Sequence, residues 1–295
     1  MYFVVQLING LQMGAIYALI ALGYTMVYGI VKLINFAHGD LMMVASYILL
    51  IALTSWNLPL WFVIPLAMVM TAVIGVIIEF IAYRPLRNSS RLSALISAIG
   101  VSLLLQNLMM LIFSPNPRRF PDLVSGLPSL TIGTNRISLM APVSIVLAII
   151  VMGLLQLFVS KSRPGKAMRA VSEDMQAAQL MGVNVNRIIS MTFAIGSALA
   201  AFAAVLYVMA YPQVDPYLGA MPGIKAFIAA VLGGIGVLPG AMLGGFLLGI
   251  IESLSRAFIP SGYSQLADAV VFAVLILVLL FMPAGLLSKP VREKV

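Results

Sequence analysis

The chain has 295 residues, 62% of them hydrophobic and 9% charged, against ~25% charged in an ordinary soluble domain. A chain so poor in polar groups cannot clothe a water-facing surface, which excludes a soluble globular protein. It has no cysteine, which excludes disulfides and thiolate chemistry, and its single histidine argues against a multi-histidine metal centre or a Ser-His-Asp triad. The net charge of +8 comes from 17 Lys and Arg set between long apolar runs, a pattern of membrane-flanking charge rather than of nucleic-acid binding.

A bilayer core requires about 20 apolar residues per helix. The sequence predicts spans at 5–30, 38–55, 60–82, 92–113, 140–160, 190–211, 240–259 and 264–288. A shorter Gly-rich segment at 222–238, bounded by Pro222 and Pro239, reads as a tilted crossing or a broken, re-entrant helix. Strands of a membrane barrel would alternate apolar and polar residues, whereas runs such as Ala269 to Met282 are apolar all round. The expected fold class is therefore an all-α polytopic membrane protein. It would be a helical bundle of about 8–9 transmembrane segments, one of them short or re-entrant, forming a single domain over 1–295. The N-terminus lacks a basic region and a small-residue cleavage site and is expected to remain as the first helix.

The basic residues set the orientation. Segments 31–37, 83–91, 161–189 and 289–295 hold 12 of the 17 Lys and Arg, including Arg84, Arg87, Lys161, Arg187 and Lys294. The positive-inside rule places them in the cytoplasm, with the C-terminus cytoplasmic and the 114–139 loop outside. Lys225 and Arg256 read as charges near helix ends. The outer loop, with Pro115, Pro117, Arg118, Arg119, Pro121 and Asp122, is either a solvated connection or a landing surface for a binding protein.

Small residues recur at four-residue spacing: Gly10 with Gly14, Gly240 with Gly244, Gly245 with Gly249, and Gly196 with Ala200. They imply close helix contact, within the chain or with a partner. Polar residues inside spans are costly and therefore informative. Asn9 and Gln12 share a face of the first helix, and Gln106 and Asn107 lie deep in the fourth. Each could bond a neighbouring helix or line a translocation path. Glu79, near the end of the third span, is expected to pair with Arg84, and is the candidate that a membrane-buried ion site would have. At Asn35 to Asp40, the plainer reading has Asn35 or Asp40 capping the second span with His38 at the interface; the functional readings are a gate, since His38 has an ordinary pKa of about 6.5, or a contact to an ATPase.

The stretch 161–189 interrupts two apolar spans and is rich in charge. Met168, Val171, Met175 and Ala178 recur at steps of three and four, and Arg169, Glu173 and Gln176 form a second stripe. This predicts a short amphipathic helix bounded by Gly165 and Gly182. It could lie in lipid headgroups, pack on the chain's own helix ends or fit a groove on another protein; an apolar stripe of Met, Val and Ala, without an aromatic anchor, weakens the lipid reading.

Gln176-Ala177-Ala178, followed by Gly182, has the spacing of the EAA-x-x-x-G motif of ABC importer permeases, with Gln in the Glu position. The wider pattern G-K-A-x-R-A-x-x-E-D-x-x-A-A-x-L-M-G, from Gly165 to Gly182, resembles the branched-chain amino acid permeases of the LivH/LivM family. So do Gly10-Leu11, Gly14 and Tyr17-Ala18-Leu19 in the first helix, Asn35-Phe36-Ala37-His38-Gly39 after it, and Gly233-Gly234-Ile235-Gly236 to Pro239-Gly240. The resemblance covers most of the chain and is nearest to the LivH type. It implies a membrane subunit of the bacterial cytoplasmic (inner) membrane, paired with a LivM-like second permease. Two cytoplasmic ATPase subunits would dock beneath and an extracytoplasmic substrate-binding protein above. It further implies that 161–189 is the coupling segment, with Gly165, Arg169, Glu173, Asp174, Ala177, Ala178 and Gly182 at the ATPase contact. The cargo would be leucine, isoleucine or valine, with urea, short amides or other amino acids carried by relatives.

A phosphate-cradling P-loop needs GxxxxGK[ST]. Gly165-Lys166 is followed by Ala167, and Ser160 stands where the first glycine would be, so the match fails. Gly234-Ile235-Gly236 opens like a dinucleotide fingerprint, but Pro239 holds its last position. The chain is accordingly expected to need no cofactor or metal and to be no enzyme itself. A self-sufficient carrier or a channel-like facilitator are the competing classes.

Overall fold

The computed structural model describes residues 2–87, 89–122, 129–132, 135–263 and 266–287. It is an all-α membrane protein with eleven α-helices among the described residues. Nine are apolar: α1 (Tyr2–Val31), α2 (His38–Thr54), α3 (Leu60–Ile78), α4 (Arg91–Phe113), α5 (Met140–Lys161), α8 (Val185–Ala210), α9 (Ala220–Gly233), α10 (Leu238–Phe258) and α11 (Leu266–Phe281). Six helical stretches, those of α1, α3, α4, α5, α8 and α10, are long and apolar enough to cross a bilayer, while α2, α9 and α11 are shorter apolar helices. Two small helices, α6 (Arg163–Glu173) and α7 (Met175–Leu180), connect α5 to α8. The end of the bundle that carries Arg84, Arg87, Lys161 and α6–α7 is termed the basic end, and its opposite the far end.

At the far end, β1 (Arg118–Arg119) pairs antiparallel with β4 (Gln213–Val214), with Arg118 opposite Val214. A hairpin of β2 (Ser129–Ile132) and β3 (Asn135–Ser138) precedes α5. Helix α1 is the central post, with an unbroken buried run from Gly14 to Val27. Its closest partner is the antiparallel α10. A Cβ on Gly10 or Gly14 would strike the α10 backbone at Ile250 or Phe246, and one on Gly245 or Gly249 would strike α1 at Ala18 or Gly14. The small-residue spacings at 10/14 and 245/249 thus form one seam inside the chain, where close backbone approach maximises packing in a medium without a hydrophobic driving force.

Helix α2 does not start level with the end of α1. After α1 ends at Val31, Lys32 takes a left-handed φ of 57° and the chain turns back into the bundle. His38 is buried against α1, its ring 4.8 Å from that of Tyr24, beside Gly23 and Gly196. Tyr24 is seven residues from the end of α1, or about 10 Å at ~1.5 Å per residue. From the far end, the segment after β4 likewise turns into the bundle, and α9 starts beside Gly39. The short segment expected at 222–238 is therefore a half-helix at 220–233, and α2 is its counterpart.

The capping expected for α2 is absent. Its N-cap is Ala37, without a side-chain cap. Asn35 instead accepts a hydrogen bond from the Tyr83 hydroxyl at 2.7 Å, and Asp40 accepts one from Gln106 Nε2 at 2.9 Å. Both side chains tie α2 to neighbouring elements because the helix starts inside protein, where neighbours rather than water satisfy them.

Glu79 pairs with Arg87, not with Arg84. A π-helical turn at Glu79–Tyr83, then a 3-10 turn at Arg84–Leu86, carry Arg87 back to it. Ser190 donates a further hydrogen bond to Glu79 at 2.6 Å, and Arg87 also reaches Asn186. Arg84 lies over the Phe80 ring, 5.2 Å from its centroid.

Candidate functional site

The basic-end site is built from α6 and α7. Ser162 caps α6 by accepting from the Gly165 N–H at 3.0 Å, and Arg169 Nη2 donates to the Ser160 carbonyl at the end of α5. A Cβ on Gly165 would strike the α5 backbone at Phe158 and Val159, so this position is glycine for closeness. The single helix expected from 165 to 182 is broken at Asp174. Its extended backbone (φ −152°, ψ 111°) ends α6, and its carboxylate accepts from the Gln176 and Ala177 N–H groups at 2.8 and 2.9 Å to start α7. An aspartate offers the backbone a cap in competition with a continued helix, and here the cap wins. Gly182 closes α7 at φ 83°, its N–H donating to the Gln179 carbonyl while the Val183 N–H donates to Ala178. That is a Schellman closure, and its left-handed residue explains the final glycine of the motif.

The two stripes of this segment separate. Met168, Val171 and Ala178 are buried against the chain's own helices, with Met175 partly so. Arg169, Glu173, Asp174, Gln176 and Ala177 face outward. Leu180 and Met181 are 88% and 85% exposed, an apolar tip that the periodicity did not single out.

Above α6 lies a cavity of about 280 Å³ at the basic end. Its walls are α1 at Thr25, Met26 and Gly29, α5 at Gln156 and Ser160, and the turn at Gly236 to Pro239. Met168, Arg169 and Ser172 of α6 form part of the lining. A second cavity of about 430 Å³ lies toward the far end. Gln6, Asn9, Gln12 and Met13 of α1 line it, with Met140 of α5, Met209 and Tyr211 at the end of α8, and Glu252, Ser253 and Arg256 of α10. Helices α1, α5 and α10 therefore line both cavities, and the buried stretch of α1 from Gly14 to Tyr24 lies between the α1 residues that line one and those that line the other.

Of the polar residues singled out for a path, Asn9 and Gln12 meet at the far cavity. Gln106 lies elsewhere, bonded to Asp40 and to Ser102. Asn107 is exposed on the outer face of α4 and donates to the Leu103 carbonyl one turn back.

Glu252 and Arg256 in the wall of the far cavity belong to a cluster of charges, whose two cations the spacing of basic residues had assigned to helix ends. Lys225 of α9 is 3% exposed and donates to Glu252 Oε1 of α10 and to Asp268 Oδ1 of α11, at 2.7 Å each. Arg256 Nη2 reaches Glu252 at 2.7 Å and Asp268 at 3.7 Å, and the Tyr17 hydroxyl donates to Glu252 Oε2 at 2.7 Å. Glu79 is thus not the one acid inside the spans. The readable signal was Glu252 within an apolar run, four residues before Arg256, the helical spacing of an ion pair. Among the described residues, no three His, Asp or Glu side chains converge where they could hold a metal ion.

Comparison with known proteins shows the family of the chain. Residues 6–279 match the family described as branched-chain amino acid transport system / permease component. The chain is 47% identical to the high-affinity branched-chain amino acid transport system permease protein BraD of Pseudomonas aeruginosa, over all of this chain and 98% of the relative. It is 46% identical, with the same coverage, to the corresponding permease LivH of Escherichia coli. A more distant similarity, 26% identity over 92% of this chain and 84% of the relative, links it to the ribose import permease RbsC of Haemophilus influenzae.

Proposed function

This chain belongs to the branched-chain amino acid transport system permease component family, and from that premise we propose that it is the membrane-spanning subunit of an ABC importer for leucine, isoleucine and valine. It acts in the bacterial cytoplasmic membrane, beside a LivM-like second permease. Two ATPase subunits beneath supply the power, and an extracytoplasmic binding protein delivers the cargo. The basic end faces the cytoplasm, because Lys and Arg concentrate there.

The observation that carries this reading is that α6 belongs to two surfaces at once. Its buried side lines the basic-end cavity through Met168 and Ser172, while Glu173 and the α7 tip at Leu180 and Met181 stand exposed for a partner. A push on α7 reaches α6 through the Asp174 joint and then the wall of the cavity. Gly165, Arg169, Glu173, Asp174, Ala177, Ala178 and Gly182 form the coupling machinery, some by contact and some by shaping the two short helices. With α1 closed between the cavities, rocking of helix groups around it exposes the path to alternate sides. Asn9 and Gln12 line the entrance of that path. Gln106 braces α2, and Asn107 offers a polar contact for the second permease.

Reconstitution tests the assignment. Liposomes holding both permeases, the two ATPases and the binding protein should accumulate leucine when ATP is supplied, and liposomes with this chain alone should not. Accumulation by the chain alone would replace the importer reading with that of a self-sufficient carrier.

A further inference from the structure

The charge cluster behind the wall of the far cavity is not explained by stability. Lys225 and Glu252, buried inside an apolar bundle, lose their hydration, and well-packed apolar residues would hold the helices together at least as firmly. Intramembrane charge in such a place marks a route for polar cargo. The deep pair, Lys225 and Glu252, has side chains 3% exposed each, whereas Asp268 and Arg256 are 32% and 50% exposed. Arg256 is thus held at its Nη2 by Glu252 and half-exposed in the wall of the cavity.

We propose that Arg256, with Glu252 behind it, is the receiving site for the zwitterionic head of an α-amino acid in transit, a reading that rests on the importer assignment above. The cargo carboxylate takes the guanidinium of Arg256, whose planar fork suits a carboxylate. Arg256 then yields its place on Glu252 Oε1 to the cargo ammonium. Lys225 and Tyr17 keep hold of Glu252, so the acid does not move. The five-residue cluster carries no net charge before the exchange, and adding a zwitterion leaves it so. A lone amine or a lone carboxylate leaves one charge uncompensated beside the buried Lys225–Glu252 pair. The aliphatic tail faces Met13, Met140 and Met209, thioethers that adapt to leucine, isoleucine or valine alike. The volume of about 430 Å³ lies in the range of ~300–1,000 Å³ usual for small-molecule sites.

The test is equilibrium binding of radiolabelled leucine to the purified complex of both permeases and both ATPases, without the binding protein. Isoamylamine and 4-methylpentanoate, each carrying one of leucine's two charges, serve as competitors. The wild-type complex should bind leucine, and each competitor should need at least tenfold higher concentration to displace it than unlabelled leucine does. Arg256→Gln should weaken leucine binding at least tenfold. Arg256→Lys, which keeps the charge but loses the fork, should weaken it less than Arg256→Gln does, so a complex that does not assemble with glutamine still leaves a variant to read. Equal competition by the half-charged analogues, or leucine binding unaltered in an assembled Arg256→Gln complex, overturns the inference. Failure of the importer assignment looks different: the complete wild-type system would then give no ATP-dependent leucine uptake at all.

Discussion

Gly219 lies against the backbone carbonyl of Gly39, so near that neither residue has room for a Cβ. The contact joins the starts of α2 and α9, two short apolar helices whose chains enter the bundle from opposite ends. Irregular backbone at membrane depth is tolerated where protein covers it, and here Tyr24, Gly223 and Phe227 supply that cover.

Gly219→Ala should therefore lower stability by about 1–3 kcal/mol, since the added methyl meets backbone rather than the end of a flexible side chain. Gly100, inside α4, has open space around it, and Gly100→Ala should be neutral or stabilising by up to about 1 kcal/mol. Thermal unfolding of the two variants in the same detergent checks the contrast. Equal melting temperatures would mean that the junction is loose.

The Glu79–Arg87 pair fastens the end of α3 to the start of α8, with Glu79 fully buried. Arg87→Ala strands that carboxylate and should cost about 3–5 kcal/mol. Adding Glu79→Gln to Arg87→Ala should recover more than half of the loss, because Gln can still accept from Ser190 without carrying charge. A double variant as unstable as the single one would locate the damage in lost packing around the arginine instead.

The chain's lack of cysteine gives a clean assay of orientation. Asn116 is exposed at the far end and Leu180 at the basic end. In intact cells, a membrane-impermeant maleimide should label Asn116→Cys and spare Leu180→Cys. Permeabilised cells should be labelled at both. The reverse pattern would invert the topology. The basic tail at Lys289, Arg292 and Lys294, which also argues for a cytoplasmic C-terminus, lies outside the described residues, so these two positions carry the assay.

Much of the bundle was legible because apolar periodicity and length are local properties. All nine segments expected from the sequence are helical, with ends within a few residues of those expected except at the start of α8 and the ends of α9 and α11. Depth was not legible. Nothing in Asn35 to Asp40 says that the chain has already turned back into the bundle, because that depends on Gly23 and Gly196 leaving room for the His38 ring. Nor do Lys225, Glu252 and Asp268 announce one another, since 27 and 43 residues separate Lys225 from its two acids. Counting basic residues placed Lys225 at a helix end; its burial comes from tertiary pairing. In the segment 161–189 the stripes were readable, but the break was not. Asp174 looked like one more polar position on a helix, and only its backbone geometry reveals a cap.

That break makes the proposed coupling role of α6 and α7 testable at separate points. Asp174→Ala removes the α7 cap and should cost about 1 kcal/mol, allowing α6 and α7 to merge into one rod that reorients Leu180 and Met181. Gly182→Pro removes the N–H that bonds Gln179 and forbids the left-handed φ of 83°. Ala178→Glu drives a carboxylate into the face that packs on the bundle. Each should reduce leucine uptake at least tenfold while the chain still inserts and its ATPases still hydrolyse ATP. Leu180→Asp is the complementary change. Its side chain is 88% exposed, so the isolated chain should melt as before, while co-purification with the ATPases falls. Normal uptake in Gly182→Pro and Ala178→Glu together, with normal co-purification in Leu180→Asp, would remove the segment from the power train and leave it a passive connection between α5 and α8.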